Sequence, residues 1–150
     1  MTVTTTTHLN FRGQAREALE FYQSVFGGQT TIATYGDFGM PTDAPGADNV
    51  VFGQVTDDNG FRVMAYDIPG QTGTVTAGET SRANGVTVTT EKFFVSVRGE
   101  TVEEVRAFWD KLADGATTID SYGPAQWTPA FGMLTDRYGI TWILDVAASY

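Results

Sequence analysis

The chain has 150 residues, enough for one domain with a hydrophobic core, and a net charge of −9. That charge argues against nucleic acid and anionic membrane surfaces as partners, because both attract basic patches. The sequence has no cysteine and no apolar run of about 18 residues, which excludes disulfides, thiolate metal sites and membrane-spanning helices. Its N-terminal segment lacks the basic start and apolar core of a signal peptide, so we expect a cytoplasmic protein.

The first half of the chain predicts a strand, a helix and three more strands. Residues 3–11 are rich in β-branched side chains, which is typical of a strand. Residues 14–26 place their apolar side chains on one helical stripe that ends at a Gly-Gly cap. Strands follow at residues 30–35, 50–56 and 61–66, and an Asn-Gly turn joins the last two.

The second half repeats the first. The segment GQTTIATYG at residues 28–36 recurs as GATTIDSYG at residues 115–123, and FGQVTDDNGFRVMAYD at 52–67 recurs as FGMLTDRYGITWILDV at 131–146. A self-match of this length predicts a tandem duplication. The second copy predicts a strand at 92–97, a helix at 102–114 that begins with a capping box, and strands at 117–121, 131–135 and 140–146.

These elements predict an α+β fold of two tandem βαβββ modules in a single domain that covers residues 1–150. The modules span about residues 3–67 and 91–147, and the Gly- and Thr-rich segment 68–90 is interpreted as the linker. We expect curved sheets around a cavity, with the helices outside. Alternation along the last strand of each module turns Val63, Ala65, Trp142 and Leu144 toward the helices.

The opposite face of each sheet is then free to bind a small molecule, because it combines an apolar floor with a few polar groups. Two further positions come from other arguments: Phe94 comes from the alignment of the copies, and Trp127, in the loop before a late strand, is interpreted as core more readily than as a lid. The candidate ligand-binding residues are His8, Asn10, Arg62, Met64, Tyr66, Phe94, Ser96, Trp127 and Ile143.

The whole chain resembles the vicinal-oxygen-chelate superfamily, which includes glyoxalase I, extradiol dioxygenases and the fosfomycin- and bleomycin-resistance proteins. Four segments are similar to its PhnB-like branch, which often carries the label demethylubiquinone methyltransferase-like: HLNFRGQAREALEFYQSVFGG, FRVMAYD, ETVEEVRAFWDKLADG and WTPAFGMLTDRYGITWILDV. The resemblance implies a homodimer in which different chains often supply the two modules of a site. The residues give no support to the methyltransferase label, because no strand leads through a glycine-rich turn into a helix.

The resemblance also implies four metal-ligand positions, on the first and last strand of each module. They fall at His8, at Met64, at Ile143 and, by the repeat, at Phe94 or a neighbour such as Lys92. His8 is the one surviving ligand type, and a divalent ion needs three or four N or O donors, so no metal or other cofactor is expected. His8 is a candidate base, although a strand histidine with a satisfied hydrogen bond is the simpler interpretation.

Three functions remain open at this point. The favoured one is a protein of undetermined activity that binds a small organic molecule in a dimer cavity without the family metal. The alternative is a metal-dependent lyase, isomerase or dioxygenase of the glyoxalase type, in which His8 is joined by Asn10, Tyr66 or Asp145. A purely structural dimer is the least favoured. Arg62 and Tyr66 could clamp an anionic or planar ligand, or Arg62 could simply be solvated.

Overall fold

The computed structural model describes residues 2–148. Within that range the chain forms two α-helices and ten β-strands, and it divides into two compact units between Val75 and Thr76. The predicted α+β class is confirmed, and each unit holds one helix and one four-stranded sheet.

The first unit has the predicted element order. Its sheet has the order β1-β4-β3-β2, in which β1 runs parallel to β4 and the other neighbours are antiparallel. The strand predicted from residue 3 begins only at Thr7, which is paired with Val63 near the start of β4. The elements are β1 (Thr7–Phe11), α1 (Ala15–Phe26), β2 (Gln29–Thr34), β3 (Val50–Thr56) and β4 (Arg62–Asp67).

The second unit repeats this topology and adds a hairpin. Its four-stranded sheet has the order β7-β10-β9-β8, again with a single parallel pair between its first two strands. The added hairpin, β5 with β6, lies in the segment that the sequence assigned to the linker. The elements are β5 (Thr80–Ala83), β6 (Val86–Thr89), β7 (Val95–Gly99), α2 (Val102–Leu112), β8 (Thr117–Ala125), β9 (Thr128–Thr135) and β10 (Thr141–Val146).

Each helix packs its apolar stripe on one face of the sheet in its own unit. The four side chains predicted to face the helices are fully buried, and they are Val63, Ala65, Trp142 and Leu144. Gly53 on β3 and Gly132 on β9, which correspond in the sequence repeat, permit this close packing. A Cβ atom at Gly53 would collide with the Leu19 side chain of α1, and one at Gly132 would lie 2.7 Å from the Trp109 ring of α2.

The start of each helix is fixed by a side-chain acceptor. In the first unit the buried carboxylate of Asp67 accepts hydrogen bonds from the backbone N–H groups of Gly13 (2.8 Å) and Ala15 (3.0 Å), and from that of Val50 (2.9 Å). In the second unit the Thr101 hydroxyl accepts from Glu104 N–H at 3.2 Å, as the predicted cap requires.

Candidate functional site

The face of each sheet that is turned away from its helix is called here the open face. In the first unit, His8, Met64 and Gln54 lie directly opposite one another on three neighbouring strands. One step along, Asn10 lies opposite Tyr66. His8 and Asn10 are exposed, while Met64 and Tyr66 are half-buried. The alternation in the sequence therefore predicted the composition of this face.

His8, Asn10 and Tyr66 form a contact cluster on the open face of the first unit. The Nδ1 atom of His8 lies 3.1 Å from the Oδ1 atom of Asn10, and the His8 and Tyr66 rings meet edge to face with centroids 5.2 Å apart. Because an amide oxygen only accepts, Nδ1 is the donor, and in neutral His8 the Nε2 atom keeps its lone pair. The cluster thus presents one oriented nitrogen base beside an aromatic ring.

Tyr35 and Arg62 lie around this cluster. The hydroxyl of Tyr35 donates to the Asp67 carbonyl oxygen at 2.6 Å, and burial, with smaller effects of Tyr66 and Asp67, raises the pKa of Tyr35. Arg62 is exposed at the start of β4, four residues before Tyr66 on the same face, so their Cα atoms are about 13 Å apart. That spacing places the guanidinium at the edge of the face rather than beside the ring.

The open face of the second unit has a different chemistry. Ser96, Ile143, Met133 and Asp120 lie opposite one another across its four strands. Because Ile143 corresponds to Met64 in the repeat, Ser96 rather than Phe94 takes the position equivalent to His8. Phe94 lies just before β7, because the pairing of β7 with β10 begins one residue later, and its side chain is half-buried.

Two acidic side chains of the second unit are fully engaged. Asp145 forms a two-pronged ion pair with Arg98, in which Nε and Nη2 donate at 3.0 and 2.9 Å. Asp136 accepts from the N–H groups of Tyr138 and Ile140 and from the indole of Trp142. Asp136 therefore stabilises the turn between β9 and β10.

The donor set on the open faces does not fit a divalent metal. The equivalent positions hold His8, Met64, Ser96 and Ile143, which provide one imidazole and one hydroxyl. Across residues 2–148 no group of three or more His, Asp or Glu side chains is placed to hold an ion. Met and Ile offer no suitable donor to a hard or borderline ion.

A pocket of about 420 Å³ lies in the second unit, between the β5-β6 hairpin and the β8-β9 connection. Trp127 lines it and keeps 49% of its surface exposed, so the interpretation of Trp127 as core is wrong, whereas Trp109 and Trp142 are buried. Arg82 from β5 lines the same pocket. Sequence reasoning missed Arg82 because it lies in the presumed linker.

The comparisons with known proteins agree with this architecture. Residues 7–144 match the model of the Glyoxalase/Bleomycin resistance protein/Dioxygenase superfamily. The chain belongs to this superfamily. The resemblance predicted from the motifs is thereby confirmed, and the paired βαβββ units are the form in which the superfamily fold appears here.

Several proteins are similar to this chain over nearly its whole length. Protein YjdN of Escherichia coli (strain K12) is 24% identical over 93% of this chain and 92% of its own length. The structure of PA1353 from Pseudomonas aeruginosa has a TM-score of 0.78 at 23% identity, covering 99% of this chain and all of that one. A Bacillus cereus PhnB protein, described as a putative 3-demethylubiquinone-9 3-methyltransferase, has a TM-score of 0.67 at 26% identity, covering 97% and 100%. Neither helix of the part described here could cross a membrane.

Proposed function

We propose that this superfamily member binds a small organic molecule in a cavity of a homodimer without the family's divalent metal. The observation that carries the proposal is the set of side chains opposite one another on the open faces. His8 faces Met64 and Ser96 faces Ile143, so each pair contains a side chain that a metal ion does not favour. The same side chains suit an organic ligand, because Met64 and Ile143 supply apolar contact area.

The cluster of His8, Asn10 and Tyr66 supports a ligand with an aromatic or other planar part. The edge-to-face contact between the His8 and Tyr66 rings leaves polarisable surface on the open face, and the His8 Nε2 atom can accept a hydrogen bond from a ligand hydroxyl or N–H. Gln54, opposite Met64, adds an amide that can donate and accept. The arrangement is that of a binding site, with one possible base.

The homodimer is supported by large apolar side chains that remain exposed in the single chain. Phe38 is 75% exposed, Val88 64% and Phe93 58%. Contiguous apolar surface commonly marks a protein interface, and these side chains are the candidates to contribute to one. A mass in solution of twice 16.2 kDa, measured by light scattering, is the expected result.

The alternative, a metal-dependent lyase, isomerase or dioxygenase, has one observation in its favour. The Nε2 atom of exposed His8 is oriented by Asn10, and a metal ligand needs an imidazole fixed in this way. The amide oxygens of Asn10 and Gln54 are the nearest additional donors on this face, and amide oxygens bind transition metals weakly.

Elemental analysis distinguishes the two functions. The purified protein is incubated with Mn, Fe, Co, Ni or Zn salts, freed of excess by gel filtration and analysed together with His8→Ala. We expect metal far below one ion per chain, equal in both proteins. One ion per chain that is lost in His8→Ala would refute the metal-free proposal, and glyoxalase-type and dioxygenase assays would then test the alternative.

A gain-of-function variant verifies the assay and the placement of the site. His8 and Asn10 are neighbours on one face of β1, and Met64 lies opposite His8 on β4. The double variant Asn10→His with Met64→His therefore puts three imidazoles on one face of adjacent strands, which is a donor set that binds zinc or cobalt. We expect about one ion per chain in this variant. Failure to gain any metal would contradict the open-face geometry.

A further inference from the structure

The pocket of the second unit lies apart from the binding site proposed above. Arg82 of β5 lies on one side, Asp120 and Gly123 of β8 on another, and Trp127 and Phe131 close the end beside the β8-β9 turn. The pocket is built from the second unit alone, and it belongs neither to the His8 cluster nor to the metal-ligand positions of the superfamily.

Arg82 is held rigidly in this pocket. Its side chain is only 10% exposed, Nε donates to Asp120 Oδ2 at 2.9 Å, and Nη1 donates to Thr87 Oγ1 at 2.7 Å. The guanidinium carbon lies 5.2 Å from the centroid of the Trp127 ring and 4.7 Å from that of Phe131. Contacts with two aromatic rings and two hydrogen bonds fix the plane of the guanidinium, and such preorganisation favours ligand binding.

The hydrogen-bonding groups that remain define the ligand. Within the described residues 2–148, the Nη2 atom of Arg82 has no hydrogen-bond partner, so its N–H groups can donate to a ligand oxygen. The Asp120 side chain is 42% exposed and uses Oδ2 for Arg82, which leaves Oδ1 as an acceptor. The ion pair thus offers a donor and an acceptor side by side with no net charge.

Shape and charge restrict the ligand further. Nearly half of the Trp127 surface is exposed beside the pair, which suits a flat ring that stacks on the indole. The chain carries a net charge of −9, and Asp120 already neutralises Arg82, so an anionic ligand gains little here. We infer that the pocket binds a planar, uncharged group that presents a hydrogen-bond donor and acceptor on adjacent atoms, as a carboxamide or a cyclic amide does.

The comparison between the units shows that the pocket depends on the hairpin. Phe131 and Met133 occupy the open face of the second sheet but are buried, with 9% and 0% exposure, and Thr87 of β6 places its hydroxyl 3.9 Å from the Met133 sulfur. Their counterparts in the repeat, Phe52 and Gln54, are 37% exposed and half-buried. The hairpin therefore covers a part of the second sheet that stays accessible in the first.

The test uses benzamide, benzoate and acetophenone with the full-length ¹⁵N-labelled protein. The three compounds share a ring but differ in the amide donor and in charge. The readout is the indole N–H signal of Trp127, which is identified by its loss in Trp127→Phe. The other two tryptophans are buried, so their signals should respond less to the compounds. We expect benzamide to shift this signal saturably with a dissociation constant on the order of 1 mM, and the other two compounds to bind roughly tenfold more weakly.

Two variants decide whether the compound occupies this pocket. A Cβ atom at Gly123 would meet no atom within 4 Å, so Gly123→Val places a larger side chain in open space of the pocket and should abolish the benzamide shift. The control, Arg12→Met, removes an exposed arginine outside the pocket and should leave the shift unchanged. In Asp120→Asn the ligand-facing acceptor becomes a donor, so the preference for benzamide over acetophenone should fall or reverse.

The inference is overturned by any of three results. These are no saturable shift of the Trp127 signal with benzamide, an unchanged benzamide shift in Gly123→Val, or benzoate binding as tightly as benzamide. If Gly123→Val does not fold, the change of preference in Asp120→Asn decides, because a merely structural role for Asp120 would weaken both compounds equally. The metal analysis described above is independent of every one of these results.

Discussion

Removal of the Asp67 carboxylate is expected to lower the free energy of unfolding much more than removal of an exposed charge in the first unit. Asp67 is 1% exposed, and its two oxygens accept from three backbone N–H groups, those of Gly13, Ala15 and Val50. These amides belong to the turn before α1, to the first residue of α1 and to the start of β3. The carboxylate, at the end of the strand that carries Tyr66, therefore joins β4 to the start of α1 and to β3.

The magnitude follows from the three amides. A buried donor left without a partner costs about 1 to 3 kcal/mol, so three of them give roughly 3 to 6 kcal/mol for Asp67→Ala once water replaces part of the loss. Asp67→Asn keeps the shape and one oxygen but turns its NH₂ group toward one of the amides. We expect this variant to lose about 1 to 3 kcal/mol, because it leaves one amide unpaired.

Guanidinium unfolding followed by circular dichroism measures these losses. Asp58→Ala is the matched control, since it removes the same charge from an exposed turn and should change the free energy of unfolding by less than about 0.5 kcal/mol. A loss below about 1 kcal/mol in Asp67→Ala would refute the reasoning. It would mean that water satisfies the three amides as well as the carboxylate does.

Two further results are expected. Gly53→Ala should destabilise the protein by about 1 to 3 kcal/mol in the same assay, because its Cβ atom would collide with Leu19 and lie 3.0 Å from a backbone oxygen. The control, Gly123→Ala, has open space around its Cβ atom and should be neutral. Equal effects of the two substitutions would contradict the packing. Burial raises the pKa of Tyr35 above 10.0, so the unfolded chain loses this proton first and the free energy of unfolding should fall as the pH rises above about 10. Tyr35→Phe should make that fall shallower, and an unchanged pH profile would exclude Tyr35 as a contributor.

The elements and their buried faces were predictable because they follow simple periodicities. The alternation along β4 and β10 gave the buried pairs, and the same alternation placed His8, Asn10 and Tyr66 on one face. The register of β7 was less accessible. Aligning the copies by Gly13 and Gly99 makes Phe94 the equivalent of His8. Strand pairing makes Ser96 the equivalent instead, because the connections into α1 and α2 differ in length.

The β5-β6 hairpin was not predictable from hydrophobic alternation because its pattern is inverted. On β6 the apolar side chains Val86 and Val88 are 60% and 64% exposed, while Thr87 and Thr89 are less exposed. Arg82 and Thr87 on the inner side are held by hydrogen bonds rather than by apolar packing. A polar inner side gives no hydrophobic signal, so the segment resembles a linker and Arg82 escapes notice.

The hairpin also has the properties of an exchangeable part. Its first and last residues, Thr80 and Thr89, are paired, and their hydroxyls are 2.8 Å apart, so the insertion leaves and rejoins the chain at nearly one point. A hairpin of another sequence grafted at that point would replace Arg82 and Thr87, which contact the sheet beneath it, and would thereby change the pocket. Ligand preference at this pocket can then change through the residues of one hairpin while the strand order of both four-stranded sheets stays the same, which is one way for a fold to acquire new specificities.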